Sequence, residues 1–192
     1  LDEILEEKEY LDKLYDDAYA SILEDGNDCT KLIKNPKFNE DNGWISTTGP
    51  KWPAGNTELF PVFEAWNMVC DVYQELTNLQ NGLYEMDINA VFRPGNEYNV
   101  ENISKANAVI YLNSFEENVL CGNISTGEEA SELFNKGKYS LKVYGLVTDG
   151  KLRIGIKNKN RLVEGSAIWA GGVSLKYYNK NPEALAEAIT HT

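Results

Sequence analysis

The stretch that decides the fold is CDVYQELTNLQNGLYEMDINAVFR, residues 70–93. Apolar and polar side chains alternate from Val69 to Leu76 and again from Leu83 to Phe92. Alternation with a period of two is typical of antiparallel strands that place one face on a core and the other in water. Because Asn81-Gly82 lies between the two runs and is a frequent turn sequence, we interpret this stretch as a β-hairpin.

Short apolar runs separated by turn residues continue on both sides of this hairpin. In residues 106–113, ANAVIYLN, the side chains of Ala108, Ile110 and Leu112 are predicted to point the same way. We also predict a last strand over residues 167–178, a second hairpin from residues 137–147 and 151–157, and a single helical turn over residues 127–134. A strand about every ten residues predicts an all-β sandwich or barrel.

Both ends of the chain have helical patterns. Residues 1–26 carry apolar side chains at the three-and-four spacing of an amphipathic helix, with acidic residues on the other face. Within residues 180–192, Asn181-Pro182 suits the cap and first position of a helix. We therefore divide the chain into an N-terminal helix, a β domain over residues 27–179 and a C-terminal helix, and expect the two helices to pack on each other.

The composition excludes several classes of protein. The 192 residues include 18 Lys and Arg against 30 Asp and Glu, a net charge of −12, which opposes nucleic acid and anionic lipid surfaces. No apolar run approaches the roughly 20 residues of a membrane-spanning helix. The only histidine is His191, so we expect neither a Ser-His-Asp triad nor a histidine-based metal site. The three cysteines are scattered, and we expect small buried side chains rather than a disulfide framework.

Several motifs together resemble those of the galactose-binding-domain-like jelly rolls, which are similar to carbohydrate-binding modules in secreted and surface proteins of gut bacteria. The resemblance spans residues 31–178 and implies a jelly-roll β-sandwich with short helices at both ends. The motifs are LIKNPKFNEDNGW at 32–44, EAWN at 64–67, DVYQELTNLQNGLYEMDINAVFRPG at 71–95, GEEASELFNKGKY at 127–139 and DGKLRIGIKNKN at 149–160.

The same resemblance raises the question of a structural calcium ion, because several related modules hold one between their first and last strands. Here Asn39 stands where the family commonly has Glu, and Gly171-Gly172 occupies the usually acidic region near the end. Calcium needs about six to eight oxygen ligands, usually including carboxylates. We therefore expect no bound metal and no cofactor.

Sugar recognition in such folds relies on aromatic rings that cover the apolar side of a pyranose and on polar side chains that satisfy its hydroxyls. Trp52 lies in the Gly/Pro-rich run TGPKWPAGN, and we take it as the candidate platform. The alternative is a loop aromatic folded onto the edge of the sandwich. Trp44, Trp66 and Trp169 are expected to be core anchors, because Trp is usually largely buried.

Arg93 ends the central strand just before a polar loop, from which a charged side chain can reach a ligand. Asn96, Glu97 and Tyr98 of that loop complete a cleft with Arg93 if the loop folds over the sheet. The alternative for Arg93 is a salt bridge to one of the many acidic residues.

We find no recognisable catalytic motif among the 30 acidic residues, and predict that the protein is not an enzyme. The sequence favours a monomeric, non-catalytic carbohydrate-binding module of an exported or surface-attached bacterial protein, with a glycan or a surface protein as its partner. The first residues, LDEILEEKEY, lack the features of a signal peptide, so we expect the export signal to be absent from this chain. The alternative is a structural or protein-interaction domain with no sugar site.

Overall fold

The computed structural model describes residues 26–40, 42–158 and 164–178. Within these residues the chain forms eleven β-strands in two antiparallel sheets, with one short 3-10 helix and two α-helices. The sheets form the two layers of a sandwich. The predicted terminal helices, their mutual packing and His191 lie outside the described residues.

Sheet I contains six strands and sheet II contains five. The strands of sheet I are β1 (Asn27–Asp28), β3 (Lys51–Ala54), β4 (Val62–Trp66), β6 (Gly82–Arg93), β9 (Ser140–Val147) and β11 (Ala167–Tyr178). The strands of sheet II are β2 (Ile45–Ser46), β5 (Asp71–Leu76), β7 (Ala108–Leu112), β8 (Phe115–Asn118) and β10 (Leu152–Asn158). The helices are the 3-10 helix Thr30–Leu32, α1 (Val100–Ser104) and α2 (Gly127–Asn135).

The strand order confirms a jelly roll. Sheet I runs β3-β4-β11-β6-β9, with β1 added beside β11, and sheet II runs β2-β5-β10-β7-β8. From β4 to β11 the eight strands thus form the two four-stranded sheets that two nested Greek keys produce. The central strands β6 and β11 span 12 residues each, and their bounds agree closely with the strands that alternation predicts.

Both predicted hairpins are wrong, because their strands lie in different sheets. Strand β5 pairs with β2 and β10, whereas β6 pairs with β9 and β11. The turns at residues 77–81 and 148–151 therefore cross between the sheets, and they run side by side. The N–H of Leu79 donates to the carbonyl of Gly150 at 2.9 Å, and the N–H of Gly150 donates to Oδ1 of Asn81 at 3.0 Å. Alternation reveals which side of a strand is buried, but it does not identify the strand's partner.

The main core fills the space between the two sheets and includes an aromatic cluster at one edge. The Phe38 ring lies 4.5 Å from the Trp44 ring, 5.5 Å from Trp52 and 5.4 Å from Phe63, measured between centroids. The main chain of this region is tied to the last strand, because the N–H of Val173 donates to the carbonyl of Pro36 at 2.8 Å. The NPKF motif thus closes one edge of the core.

A second apolar cluster lies on the outer side of sheet I, beneath α2. This helix spans nine residues rather than the predicted single turn. Thr126 caps it by accepting a hydrogen bond from the N–H of Glu129, whose carboxylate in turn accepts one from the N–H of Ser125 at 2.9 Å. Its buried residues include Ala130 and Phe134. The outer face of sheet I is therefore partly covered, and its end beyond the helix carries the site described next.

The cysteines occupy the places that the sequence predicts. Cys29 and Cys70 are buried, Cys121 is partly buried, and all three are free thiols. Burial raises the pKa of the Cys29 and Cys70 thiols to about 12. Since the thiolate is the reactive form, these two residues are inert parts of the core.

Candidate functional site

The end of sheet I brings an arginine and a tryptophan together on its outer face. In the strand register, Ala167 of β11 lies between Trp66 at the end of β4 and Arg93 at the end of β6. Because Ala167 is small, the Arg93 side chain reaches across β11, and its Cζ lies 5.0 Å from the centre of the Trp66 ring. We call Trp66, Arg93, Asn96, Glu97 and Tyr98 the Arg93–Trp66 surface.

The guanidinium of Arg93 is held in place, but among the described residues only its Nε has a hydrogen-bond partner. Its Nε donates to the carbonyl of Gly95 at 2.9 Å, and one of its faces lies over the Trp66 ring. Within the described ranges, the hydrogen bonds and ion pairs do not include its two terminal nitrogens. The salt bridge that the sequence left open as an alternative is therefore not among the described contacts of Arg93. Its terminal N–H groups remain available to a ligand in a fixed orientation.

Trp66 contacts Trp169 and Arg93, and part of its ring remains exposed. The side chain of Trp169, fully buried, meets it edge to face with ring centroids 6.3 Å apart. The indole N–H of Trp169 donates to Oε2 of Glu64 at 2.7 Å, which fixes the supporting ring. Trp66 itself is 37% exposed. Such a ring, rigidly backed and half accessible, can stack on an apolar ligand face.

The loop after β6 lies at the end of the sheet and is anchored on both sides. On one side, the N–H of Asn96 donates to the carbonyl of Glu164 at 3.1 Å. On the other side, the hydroxyl of Tyr98 donates to the carbonyl of Cys121 at 3.4 Å. Glu97 lies between them and is exposed. The structure thus brings Arg93 together with the three polar loop residues that the sequence predicts.

The loop also has an internal network that holds its shape. Asn99 caps α1 by accepting a hydrogen bond from the N–H of Asn102 at 2.9 Å, and its side-chain amide donates to Oε2 of Glu97 at 3.0 Å. The side-chain amide of Asn102 donates to the carbonyl of Glu97 at 2.9 Å. One carboxylate oxygen of Glu97 is therefore committed to the loop, and the residue is oriented before any ligand arrives.

Trp52 does not belong to this surface. It lies in strand β3 rather than in a loop, so the predicted loop placement is wrong. Its ring packs between Phe38 and Phe63, at 5.5 and 5.1 Å between centroids. Phe63 points into the core, whereas Arg93 and Trp66 are on the outer face of the same sheet. The contacts of Trp52 match the alternative of an aromatic packed onto the edge of the sandwich.

Trp66, rather than Trp52, is the exposed tryptophan. The prediction that Trp66 is a core anchor is therefore wrong. The sequence did hold the signal: in VFEAW, Phe63 and Ala65 alternate with Glu64 and Trp66. A period of two places Trp66 on the same face as the charged Glu64. The predictions for the other two core tryptophans are confirmed, since Trp44 is 7% exposed and Trp169 is fully buried.

A second arginine lies on an aromatic ring at the outer face of sheet II. The Cζ of Arg153 is 4.2 Å from the centre of the Tyr73 ring, and its Nη2 donates to Oε1 of Glu75 at 2.5 Å. Its Nε donates to the same oxygen at 3.1 Å. Unlike Arg93, this arginine is engaged by an acidic partner in the chain itself.

Other polar side chains of this face also have bonding partners within the chain. The Tyr111 side chain lies over Gly155, and its hydroxyl donates to Oδ1 of Asp71 at 2.6 Å. Burial and this hydrogen bond raise the pKa of Tyr111. Lys157 lies over the Tyr111 ring and pairs with Glu116 at 2.8 Å. We therefore assign this face to the scaffold and call it the Arg153–Tyr73 face.

The most deeply buried carboxylate in the described part of the chain is also fully bonded. Glu85, 4% exposed, accepts hydrogen bonds from Lys142 at 2.7 Å and from Tyr178 at 3.0 Å. Burial by itself would raise the pKa of Glu85, but hydrogen bonds from Lys142, Tyr144 and Tyr178 outweigh it and hold that pKa below its usual range. An ionised carboxylate is a poor general acid near neutral pH.

The place that the resemblance associates with calcium offers few suitable ligands. A cavity of about 370 Å³ lies there, lined by Lys37, Asn39, Glu58, Phe60 and Gly172, among others. One carboxylate and one ammonium group do not make a site for a hard divalent cation. Across the described ranges, no group of three or more His, Cys, Asp or Glu side chains is arranged to hold a metal ion.

Comparisons with known proteins give similarity in structure only. No protein-family model matches the sequence, and a search of curated proteins gives no match. The solved structures that the chain resembles include carbohydrate-binding modules, as the sequence resemblance predicts. TmCBM61, solved in complex with β-1,4-galactotriose, is 13% identical over 76% of this chain and 97% of its own, with a TM-score of 0.42.

Two further structures show the range of these matches. The CBM22-1 xylan-binding domain from Paenibacillus barcinonensis Xyn10C is 9% identical over 82% of this chain and 99% of its own, with a TM-score of 0.43. The enzymatically active domain of tailspike protein 4 from bacteriophage CBA120 is 11% identical over 76% of this chain and 21% of its own, with a TM-score of 0.45. At these identities the similarity concerns the fold alone. Among the described helices, none is long and apolar enough to cross a membrane.

Proposed function

We propose that this chain is a non-catalytic carbohydrate-binding module that holds glycan on the Arg93–Trp66 surface. The observation that carries the proposal is the pair itself: an exposed tryptophan ring, backed by Trp169, with a guanidinium fixed 5.0 Å above it. A pyranose has an apolar C–H face and polar edges. The open part of the Trp66 ring suits the face, and Arg93 suits a hydroxyl at the edge.

The loop residues supply the remaining polar groups. Asn96 offers an amide with both donor and acceptor atoms, Glu97 offers a carboxylate, and Tyr98, 45% exposed, offers a second aromatic ring. The loop is anchored through Asn96 and Tyr98 before a ligand binds. A surface that is already ordered loses less conformational entropy on binding. The polar groups of Asn96 and Glu97, together with Arg93, favour a sugar over a purely apolar ligand.

We propose that this surface binds glycan without cleaving it. Glycoside hydrolysis needs a pair of carboxyl groups, one of which is held protonated as a general acid. On this surface Glu97 is the carboxylate nearest in sequence to Arg93, while Glu64 is engaged by the indole of Trp169. We place the module in an exported or cell-surface bacterial protein, as the sequence resemblance implies.

A protein-interaction surface is the second candidate, and one observation favours it. Leu120 and Val100 are 54% and 84% exposed, and both lie near the site. The carbonyl of Leu120 accepts a hydrogen bond from the N–H of Phe92, the neighbour of Arg93, and Val100 follows the Asn99 cap. Exposed apolar residues at the rim of a polar site are also found at protein interfaces.

A glycan array separates the two candidates. The wild-type chain is probed beside the double variant Trp66→Ala/Arg93→Ala, with Tyr73→Ala/Arg153→Ala as the matched control on the other sheet. We expect glycan signals for the wild type and the control and their loss in the Trp66/Arg93 variant, with all three proteins folded by circular dichroism. Absence of any glycan signal for the wild type would remove the proposal.

A further inference from the structure

Arg93 and Arg153 are the two arginines that the structure describes, and they differ in their ionic partners. The chain carries 30 acidic and 18 basic residues, so potential partners for a cation are abundant. In the described part of the chain, five basic residues form ion pairs with acids: Lys105, Lys136, Lys142, Arg153 and Lys157. Arg93 is partly buried and is not among them. A partly buried guanidinium without a carboxylate is a position where an external anion can bind.

We propose that the Arg93–Trp66 surface selects glycans that carry carboxylate groups, that is, chains containing uronic acid residues. This inference rests on the proposed function and adds the substrate class. The two terminal nitrogens of Arg93 form the planar fork that matches both oxygens of a carboxylate. Its Nε is already held by Gly95 and its face by Trp66. The fork is therefore oriented for a carboxylate on a sugar ring stacked beside it.

Two acidic residues of this region, Glu64 and Glu97, accept hydrogen bonds from other residues of the chain. Glu64 accepts the indole hydrogen bond of Trp169 at 2.7 Å, and Glu97 accepts one from the Asn99 amide at 3.0 Å. The net charge of −12 opposes an anionic ligand at a distance. At about 0.15 M salt, however, charges beyond about 8 Å are largely screened. The nearest cation, Arg93, then dominates the interaction with a bound carboxylate.

Arg153 shows how an arginine on an aromatic ring behaves when its carboxylate partner belongs to the chain itself. Both arginines lie on an aromatic ring, at 5.0 Å for Arg93 and 4.2 Å for Arg153. Arg153 donates two hydrogen bonds to Glu75. On the Arg93–Trp66 surface no residue takes the place of Glu75 within the described ranges. We assign that place to the carboxylate of the ligand.

The test compares acidic polysaccharides with their own carboxyl-reduced forms, which keep the backbone and linkages and lose only the charge. Polygalacturonate, alginate and hyaluronan are each used before and after reduction, at fixed ionic strength near 0.15 M. Binding by the wild type, Arg93→Gln and the control Arg153→Gln is measured by calorimetry. Since a charged hydrogen bond is worth more than a neutral one, we expect about 10-fold weaker binding to the reduced form of at least one polymer.

The variants decide which residue is responsible. Arg93→Gln should lower the preference for the acidic form to about two-fold or less, whereas Arg153→Gln should leave the preference unchanged. The substrate class is overturned if the acidic form of none of the three polymers is preferred, or if the preference survives Arg93→Gln. Binding of neutral glycans with no preference for acid would overturn this inference and leave the proposed function standing. No binding to any glycan on the array would remove both.

Discussion

Two arginine–aromatic pairs lie on opposite sheets of the sandwich, and they differ in how their remaining donors are used. Arg153 stacks on Tyr73 and donates its hydrogen bonds to Glu75. On the same face, Tyr111 is hydrogen-bonded to Asp71. Arg93 stacks on Trp66, 37% exposed, and its terminal nitrogens meet no acid in the described part of the chain. We propose that the closed face stabilises the fold and that the open surface binds a ligand.

A small residue lies on the middle strand of each face. On sheet I, Ala167 lies between Trp66 and Arg93. On sheet II, Gly155 lies between Tyr73 and Tyr111, and the Tyr111 ring fills the space above it. The small residue thus lies beside an open surface on sheet I and beneath a packed ring on sheet II. Substitutions on the two faces test whether their roles differ.

The largest effect is expected at Gly155. A Cβ atom there would lie 2.7 Å from the hydroxyl of Tyr111 and 2.7 Å from the carbonyl oxygen of Val72. Because backbone cannot easily move away, Gly155→Ala should lower the free energy of unfolding by about 2–3 kcal/mol. Urea denaturation measures this. Gly49→Ala, at a position with no atom within 4 Å of the new Cβ, is the control and should change stability by less than about 0.5 kcal/mol.

Trp66→Ala should have the next largest effect, on binding rather than on folding. Loss of a tryptophan platform typically costs about 2 kcal/mol, or about 30-fold in affinity. Calorimetry with the best glycan from the array measures it, and Tyr73→Ala is the matched control with unchanged affinity. Equal losses in both variants would mean that the two faces do not differ in the way described.

Tyr111→Phe tests whether the Arg153–Tyr73 face stabilises the fold. The folded pKa of Tyr111 is raised above the unfolded value of about 10, so its contribution is complete below about pH 10 and is lost as the pH rises towards the folded pKa. Near neutral pH the variant should be about 1.5 kcal/mol less stable, because it loses the hydrogen bond to Asp71.

The difference should then shrink above about pH 10, by up to about 1.4 kcal/mol per pH unit, since ionisation of the unfolded phenol destabilises only the wild type. Urea denaturation of both proteins near neutral pH and near pH 11 measures it. A difference that stays constant would show that this phenol does not stabilise the fold through its proton.

The smallest effect is expected at the Arg153–Glu75 ion pair. Both side chains are about half exposed, at 43% and 55%, so solvent screens their attraction. Arg153→Gln should reduce stability by about 0.5 kcal/mol, and this loss should diminish in about 1 M salt. Chemical denaturation at low and high salt checks it. A loss of several kcal/mol, or one that grows with salt, would contradict the assignment of an exposed pair.

The sequence predicts where the strands lie better than it predicts which strands pair with each other. Strand β11 was predicted with its observed bounds of Ala167–Tyr178, and its burial alternates from Gly171 to Tyr178 although the register shifts between Gly171 and Ser174. The pairing of β5 with β6 failed, since a turn such as Asn81-Gly82 suits a hairpin and a crossing between sheets alike. Which of the two forms depends on contacts with residues far away, here the bond from Gly150 to Asn81.

The candidate site was predicted in part for a similar reason. Arg93 and its loop are candidates from the sequence because a charge at a strand end before Pro94-Gly95 is a local feature. Trp52 was misplaced because its partners, Phe38 and Phe63, are distant in sequence. Trp66 was missed although its alternation with Glu64 indicated the outer face. The Arg93–Trp66 contact joins strands 27 residues apart in sequence, and no local pattern reveals it.

The most direct test is an NMR titration that observes indole and arginine Nε–H signals of the ¹⁵N-labelled protein with the best glycan from the array. Binding at the Arg93–Trp66 surface predicts that the Trp66 indole and Arg93 Nε–H signals shift, while those of Trp44, Trp52 and Arg153 stay in place. A titration that shifts the Arg153 signal and leaves Trp66 and Arg93 unchanged would contradict the account, because it would place the ligand on sheet II.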